Sequence, residues 1–121
     1  MTVLFCETRT LTQADFDTFA RISGDDNPIH VSPVFAARTR FGRTVAHGML
    51  LYSVLWALVQ RHRPGARQAA QALMFPNPTF AGEAVIFEGR LCADDVIAVR
   101  AYRANGDSLC EGTATLAAAR P

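Results

Sequence analysis

The stretch Ser23-Gly24-Asp25-Asp26-Asn27-Pro28-Ile29-His30 sets a carboxylate and an imidazole on either side of an Asn-Pro bend. Farther along comes Ala46-His47-Gly48-Met49-Leu50, where a glycine at the start of an apolar helix can aim its backbone N–H at a ligand. Together they supply a general acid/base pair and an oxyanion donor. That is enough to add water to an activated carbonyl compound, or to remove it.

The geometry of the first stretch depends on its proline. On a continuous helix Asp25 and His30 would sit about 140° apart around the axis and could not converge. Pro28 disfavours helical geometry at Asn27 and interrupts any such helix, so a bend can bring both side chains to one side. Each residue also has a plainer reading. Gly-Asp-Asp-Asn-Pro alone reads equally as an Asx turn with solvent-facing acids. His30 alone reads as a partly buried structural histidine, and Gly48 alone as a place where another backbone passes closely. Asp26, between the pair, is expected to face solvent or cap backbone. His47 is read as a brace for the loop, and Asn27 as holding the bend through its side chain. His62, between Arg61 and Arg63, reads as a solvated helix end.

The elements that must position these residues are legible in outline. Residues 3–9 read as a strand. A helix opens after Leu11, with Thr12 as cap, Asp15 at its positive end and Leu11 stapled on Phe16; Gly24 ends it. Ser32-Pro33 starts a short helix to about Arg40. A third helix, from about His47 to His62, is apolar nearly all round and is expected to be buried on most sides. Beyond Ala66 the period becomes two, with strands near 67–75, 83–92, 96–104 and 108–117. Asp94-Asp95 and Ala104-Asn105-Gly106-Asp107 supply turns, and Phe75-Pro76-Asn77-Pro78 should break or bend the ladder. Helices followed by an antiparallel meander define an α+β domain spanning residues 1–121, its sheet curled around the long helix. So small a sheet covers that helix incompletely, and a second subunit is expected to cover the rest.

Composition narrows the class. The chain has 121 residues, half of them apolar, with 12 Lys+Arg against 11 Asp+Glu. This balance argues against a nucleic-acid or membrane-surface partner. The start lacks a basic n-region and a long apolar run, so no signal peptide is expected, and the longest apolar stretch is too short to span a bilayer. Cys6, Cys92 and Cys110 have no metal or redox spacing and fall in strand-like segments, where free thiols pack as small core residues. A reduced, cytoplasmic protein follows. Three widely spaced histidines without an HExxH or a cysteine pair imply no metal. The absence of Gly-rich nucleotide loops implies no cofactor, and neither Ser53 nor Cys6 has the setting of a nucleophile.

In Gly24-Asp25-Asp26-Asn27-Pro28-Ile29-His30, Phe35-Ala36, Phe41-Gly42-Arg43, Ala46-His47-Gly48-Met49-Leu50 and Phe75-Pro76 to Phe80-Ala81-Gly82-Glu83, the chain resembles the MaoC-type dehydratases, the (R)-specific enoyl-CoA hydratases of hot-dog fold. The resemblance runs over nearly the whole chain. It implies a long central helix wrapped by a bent antiparallel sheet, a kinked strand over Phe75–Glu83, and a homodimer joined sheet edge to sheet edge. It also implies a tunnel near the subunit boundary for an acyl-CoA or acyl-carrier thioester. It carries the catalytic acid to Asp25 rather than Asp26, the histidine to His30 and the oxyanion glycine to Gly48. Met49, Phe75 and Phe80 are expected to line the acyl pocket. Three other activities compete on the same fold: a dehydratase acting on acyl-carrier protein, a thioesterase, and a non-catalytic acyl-thioester binder. The joint presence of Asp25, His30 and Gly48 argues against the last, since a binder needs none of them.

Overall fold

Two hydrophobic periods divide the chain, and the computed structural model, which describes residues 2–118, follows both. The elements run β1 (Thr2–Thr10), α1 (Gln13–Ser23), α2 (Pro28–Val31), α3 (Pro33–Ala36), α4 (Gly48–His62), β2 (Gln68–Met74), β3 (Ala84–Ala93), β4 (Val96–Tyr102) and β5 (Ser108–Leu116).

Helix α1 is bounded as its sequence dictates. Thr12 and Asp15 form a reciprocal capping box, with the Thr12 N–H donating to Asp15 Oδ2 at 2.8 Å. Leu11 and Phe16 are both buried in the core, as a hydrophobic staple requires. Gly24 ends the helix at φ 79°, a left-handed conformation that glycine adopts without a Cβ clash, and donates to the Ala20 carbonyl. The bend beyond it contains a helical turn that periodicity did not reveal. In α2, Asn27 caps with its Oδ1 accepting from the Ile29 N–H at 3.1 Å, and Pro28 takes the first helical position.

Helix α3 stops at Ala36 rather than near Arg40. Thr39 Oγ1 donates back to the Ala36 carbonyl at 2.7 Å and accepts from the Phe41 N–H, so a side chain competes with the helical ladder.

Helix α4 lies across the sheet. Leu50, Leu51, Tyr52, Leu55, Leu58 and Val59 are buried against Phe5, Val85, Phe87, Ile97, Val99, Leu109 and Ala114. The burial is one-sided: Met49, Ser53, Ala57 and Gln60 form an exposed stripe at helical spacing, with Trp56 half-buried beside it.

All described strand pairings are antiparallel, in the order β1-β3-β4-β5-β2. Only β3-β4-β5 is a meander. Strand β2 crosses to the far side of β5, so the expected simple meander is corrected. Nor is Phe75–Glu83 a kinked strand: the chain leaves the sheet after Met74, and within this segment only Phe80 makes a bridge, to Val45. Pro76 and Pro78 carry no N–H for a ladder. An arginine holds the loop instead. Arg103 bonds Glu83 through Nε at 2.9 Å and also donates to the Pro78 carbonyl.

Strand alternation also separates the cysteines. Cys110 faces the core, whereas Cys6 and Cys92 are exposed on the other face, so core packing holds for Cys110 alone. Burial, with the Glu111 charge, pushes the Cys110 thiol up to about 11. Among the described residues no helix is long and apolar enough to cross a membrane.

Candidate active site

The end of α1, the α2 turn and the first turn of α4 meet around one cavity of about 420 Å³. Asp25, His30, His47, Gly48, Met49 and Phe75 line it, together with Phe19 and Ser23.

Asp25 lies just past the α1 cap, with its N–H donating to Ser23 Oγ at 3.1 Å. The His30 ring, carried by α2, reaches the Val45 carbonyl through Nδ1 at 2.8 Å. A carbonyl only accepts, so Nδ1 carries the proton and the lone pair of the neutral ring is at Nε2. That Nε2 lies 3.8 Å from Asp25 Oδ2, beyond a direct hydrogen bond and within reach of one shared water molecule. The Asp25 side chain is 56 % exposed and that of His30 only 14 %, so the acid faces the opening and the ring backs it.

His47 is buried and holds the loop from beneath. Its Nε2–H donates to the Asp25 backbone carbonyl at 2.7 Å, and its ring stacks on His30 with centroids 3.8 Å apart. The Phe19 ring also packs against the His47 ring at a tilt, with centroids 4.9 Å apart. Donor atoms of Asp25, His30 and His47 lie within 4.8 Å of one another, a spacing that invites a metal reading. The two rings are nearly parallel, at 22°, so their in-plane lone pairs run side by side instead of meeting at one ion.

Gly48 opens α4, and no described residue accepts a hydrogen bond from its N–H, which leaves a first-turn donor at the positive end of a fifteen-residue helix. The plainer reading of this glycine also holds. A Cβ here would stand 2.9 Å from the Phe75 ring, so absence of a side chain lets that ring lie on the helix start.

Asn27 caps α2 and stays outside the cavity, and Asp26 is exposed on the turn. Phe80 is not brought to the cavity. Its ring packs under Arg43, at 3.9 Å, and near Arg103, because the loop clamp turns it toward those arginines. His62 is exposed as expected, although its ring also stacks on Phe5.

Sequence patterns missed several supports. The Gln13 amide donates to the His30 carbonyl at 2.9 Å and accepts from the Thr44 hydroxyl, tying α1 to α2 and to the segment before α4. Val45 is stitched from both sides: its N–H donates to the Ile29 carbonyl at 3.1 Å and its own carbonyl orients His30. These contacts join residues far apart in sequence and make no local pattern.

A bent antiparallel sheet wrapped around one long helix is the hot-dog fold, and solved hot-dog proteins superpose on it. An (R)-hydratase from Aeromonas caviae involved in PHA biosynthesis aligns with TM-score 0.84 at 32 % identity, covering 93 % of this chain and 91 % of that one. An R-hydratase from Pseudomonas aeruginosa aligns with TM-score 0.84 at 28 % identity, covering 97 % and 80 %. The chain belongs to the MaoC-like domain family, whose model matches residues 1–105. Among curated relatives, the (R)-specific enoyl-CoA hydratase of Aeromonas caviae is 40 % identical over 82 residues, 66 % of this chain and 61 % of that protein. A mitochondrial 3-hydroxyacyl-[acyl-carrier-protein] dehydratase of Arabidopsis thaliana is 34 % identical over 80 residues, 66 % of this chain and 48 % of that protein. The match thus spans about half to three fifths of the length of these relatives.

Proposed function

We propose that this chain is a hydro-lyase that hydrates a trans-2-enoyl-CoA to the (R)-3-hydroxyacyl-CoA, or catalyses the reverse dehydration. The observation that carries the reading is the 3.8 Å approach of His30 Nε2 to Asp25 Oδ2 in a cavity that also holds the Gly48 N–H. Kinship with (R)-specific hydratases supports the substrate class and product hand.

In hydration, Asp25 and His30 grip one water. The pair enters turnover holding one transferable proton: the partner without it takes a proton from the water as the oxygen adds to the β-carbon, and the partner with it gives that proton to the α-carbon on the same face. One proton has then shifted between the pair, and exchange with solvent resets it. The Gly48 N–H holds the thioester oxygen as it gains enolate character. His47 is a positioning residue acting through the Asp25 carbonyl, and Met49 and Phe75 form the apolar wall. No cofactor is required. The same chemistry on an acyl-carrier thioester is the second reading, favoured by the kinship with the plant dehydratase.

The protein is proposed to be a cytoplasmic homodimer. Its β2 edge is almost wholly exposed, and beside it the open stripe of α4 borders a groove of about 490 Å³ lined by Met49, Trp56 and Gln71. An uncovered edge strand and apolar helix face are what a second copy would cover.

Asp25→Asn should lower kcat by about 10²–10⁴ while saturated thioester still binds. The check is loss of enoyl-thioester absorbance, with binding followed separately. Near-normal turnover of a short trans-2-enoyl-CoA by this variant would sink the assignment. Release of free thiol without a hydroxyacyl product would make the protein a thioesterase instead, and running both carriers in one assay distinguishes the two hydro-lyase readings.

A further inference from the structure

Phe75 is a large aromatic ring left 44 % exposed, on a loop whose other features keep it out of the sheet. The ring rests on the α4 start at Gly48. On one side of it lies the cavity of Asp25 and His30; on the other is a second cavity of about 290 Å³. Gly48 and Phe75 are the residues common to both linings.

The second cavity is walled mainly by apolar side chains. Val45, Leu51 and Leu109, all buried, lie along it with Phe41, and its one charged side chain is the exposed Arg40. It contains no carboxylate and meets the reaction cavity at Gly48; its uncharged polar side chains are Asn77 and the buried Thr79, whose hydroxyl has no hydrogen-bond partner among the described residues. A mainly apolar recess that shares Phe75 and Gly48 with the cavity of the acid/base pair suits the far end of an acyl chain whose thioester sits at Gly48.

We propose that Phe75 is the specificity-determining partition of this site. Its ring closes the reaction cavity off from the recess and thereby limits the acyl length accepted. The proposal rests on the acyl-thioester reading above and adds to it which side chain sets chain length and where a longer chain goes. Removing the ring joins the two spaces. Because Phe75 is half exposed and its contact with Gly48 is through the ring, shortening it should leave the fold intact.

The test compares wild type, Phe75→Ala and Phe75→Trp, each first checked for an unchanged cooperative melt. Calorimetric binding of the unreactive butyryl-CoA and octanoyl-CoA is measured for all three. Each methylene moved fully from water to apolar surface strengthens binding about fourfold. Phe75→Ala should therefore favour octanoyl over butyryl by roughly tenfold or more relative to wild type, even with partial burial. Phe75→Trp should shift the ratio the other way. The ratio of kcat/KM for the matching enoyl thioesters should move in parallel.

An unchanged octanoyl-to-butyryl ratio in both variants overturns the partition. Wild type that binds acyl-CoA without hydrating a short enoyl thioester overturns the hydratase reading, while the binding ratio still decides the role of Phe75. Failure of wild type and Phe75→Ala alike to bind either thioester overturns both.

Discussion

At the scale of single residues, the candidate site is made by directions of hydrogen bonds more than by side-chain identity. The Val45 carbonyl can only accept, so it sets which His30 nitrogen faces Asp25. His47 offers its Nε2–H to the Asp25 backbone and so fixes where that carboxylate starts. Gly48 carries two demands at once, an unobstructed N–H and room for a ring. Gly48→Ala should consequently be coupled to Phe75. In wild type the new methyl meets the ring at 2.9 Å and should destabilise by about 1–2 kcal/mol, as overpacking does. In a Phe75→Ala background the same change should be neutral or slightly stabilising, because alanine is the better helix former. Denaturant unfolding of the four members of the cycle measures this. Additive effects would mean that the ring does not press on the helix start. The pair Asp25 and His30 was legible from residue types around a proline. Gln13, Thr44 and Val45 were not, because a polar side chain or a carbonyl shows its partner only after the chain has folded back on it.

At the scale of elements, the loop from Phe75 to Glu83 decides the shape of the site, and an ion pair holds it. Burial works to raise the Glu83 carboxyl, yet the Arg103 hydrogen bonds, the Phe80 N–H and the charges of Arg103 and Arg43 outweigh it, so the group is held below its ordinary 4.5. The sign of the pH effect follows. A depressed carboxyl contributes stability that is present above its unfolded value and lost as pH falls through the lower folded one. Glu83→Gln should therefore be less stable than wild type at pH 7 by about 1–3 kcal/mol, with the gap closing as pH drops below about 4. Urea unfolding at the two pH values is the check; a gap that persists in acid would assign the loss to packing. Element positions were readable in the sequence wherever a cap or a turn residue marked them, as at Thr12, Gly24, Ser32 and Asn105-Gly106. The exceptions were the α2 turn, too short to show a period, and the end of α3, where a threonine side chain took over the backbone's acceptor.

At the scale of the whole molecule, the described chain leaves one side unfinished. Seven residues of β2 carry a burial pattern that is exposed at all but one position, and α4 turns an open stripe toward the same side. Trp56, half-buried at the edge of that stripe, should be largely covered in a dimer. Trp56→Asp is expected to shift the protein toward monomer and to lower activity with it, because a charge in a closed apolar contact is left without a partner. Light scattering coupled to size exclusion gives the mass. A variant that stays dimeric with full activity would remove α4 from the interface. The sheet itself was half legible. Three consecutive strands with tight turns form the meander that alternation implied, whereas β2 is sent to the opposite edge by a proline-rich connection that carries no register information.

The amino-acid order alone determined the local items: where helices start and stop, which runs are strands, that an acid and an imidazole flank a bend, and that a glycine opens the long helix. Each is settled by interactions within a few residues, through caps, proline geometry and period. Tertiary structure alone decided that Phe75 and not Phe80 faces the acid, that the His30 proton sits on Nδ1, and that a second apolar space lies behind one ring. Those depend on contacts between segments distant in sequence, which the close packing of the core around α4 brings together.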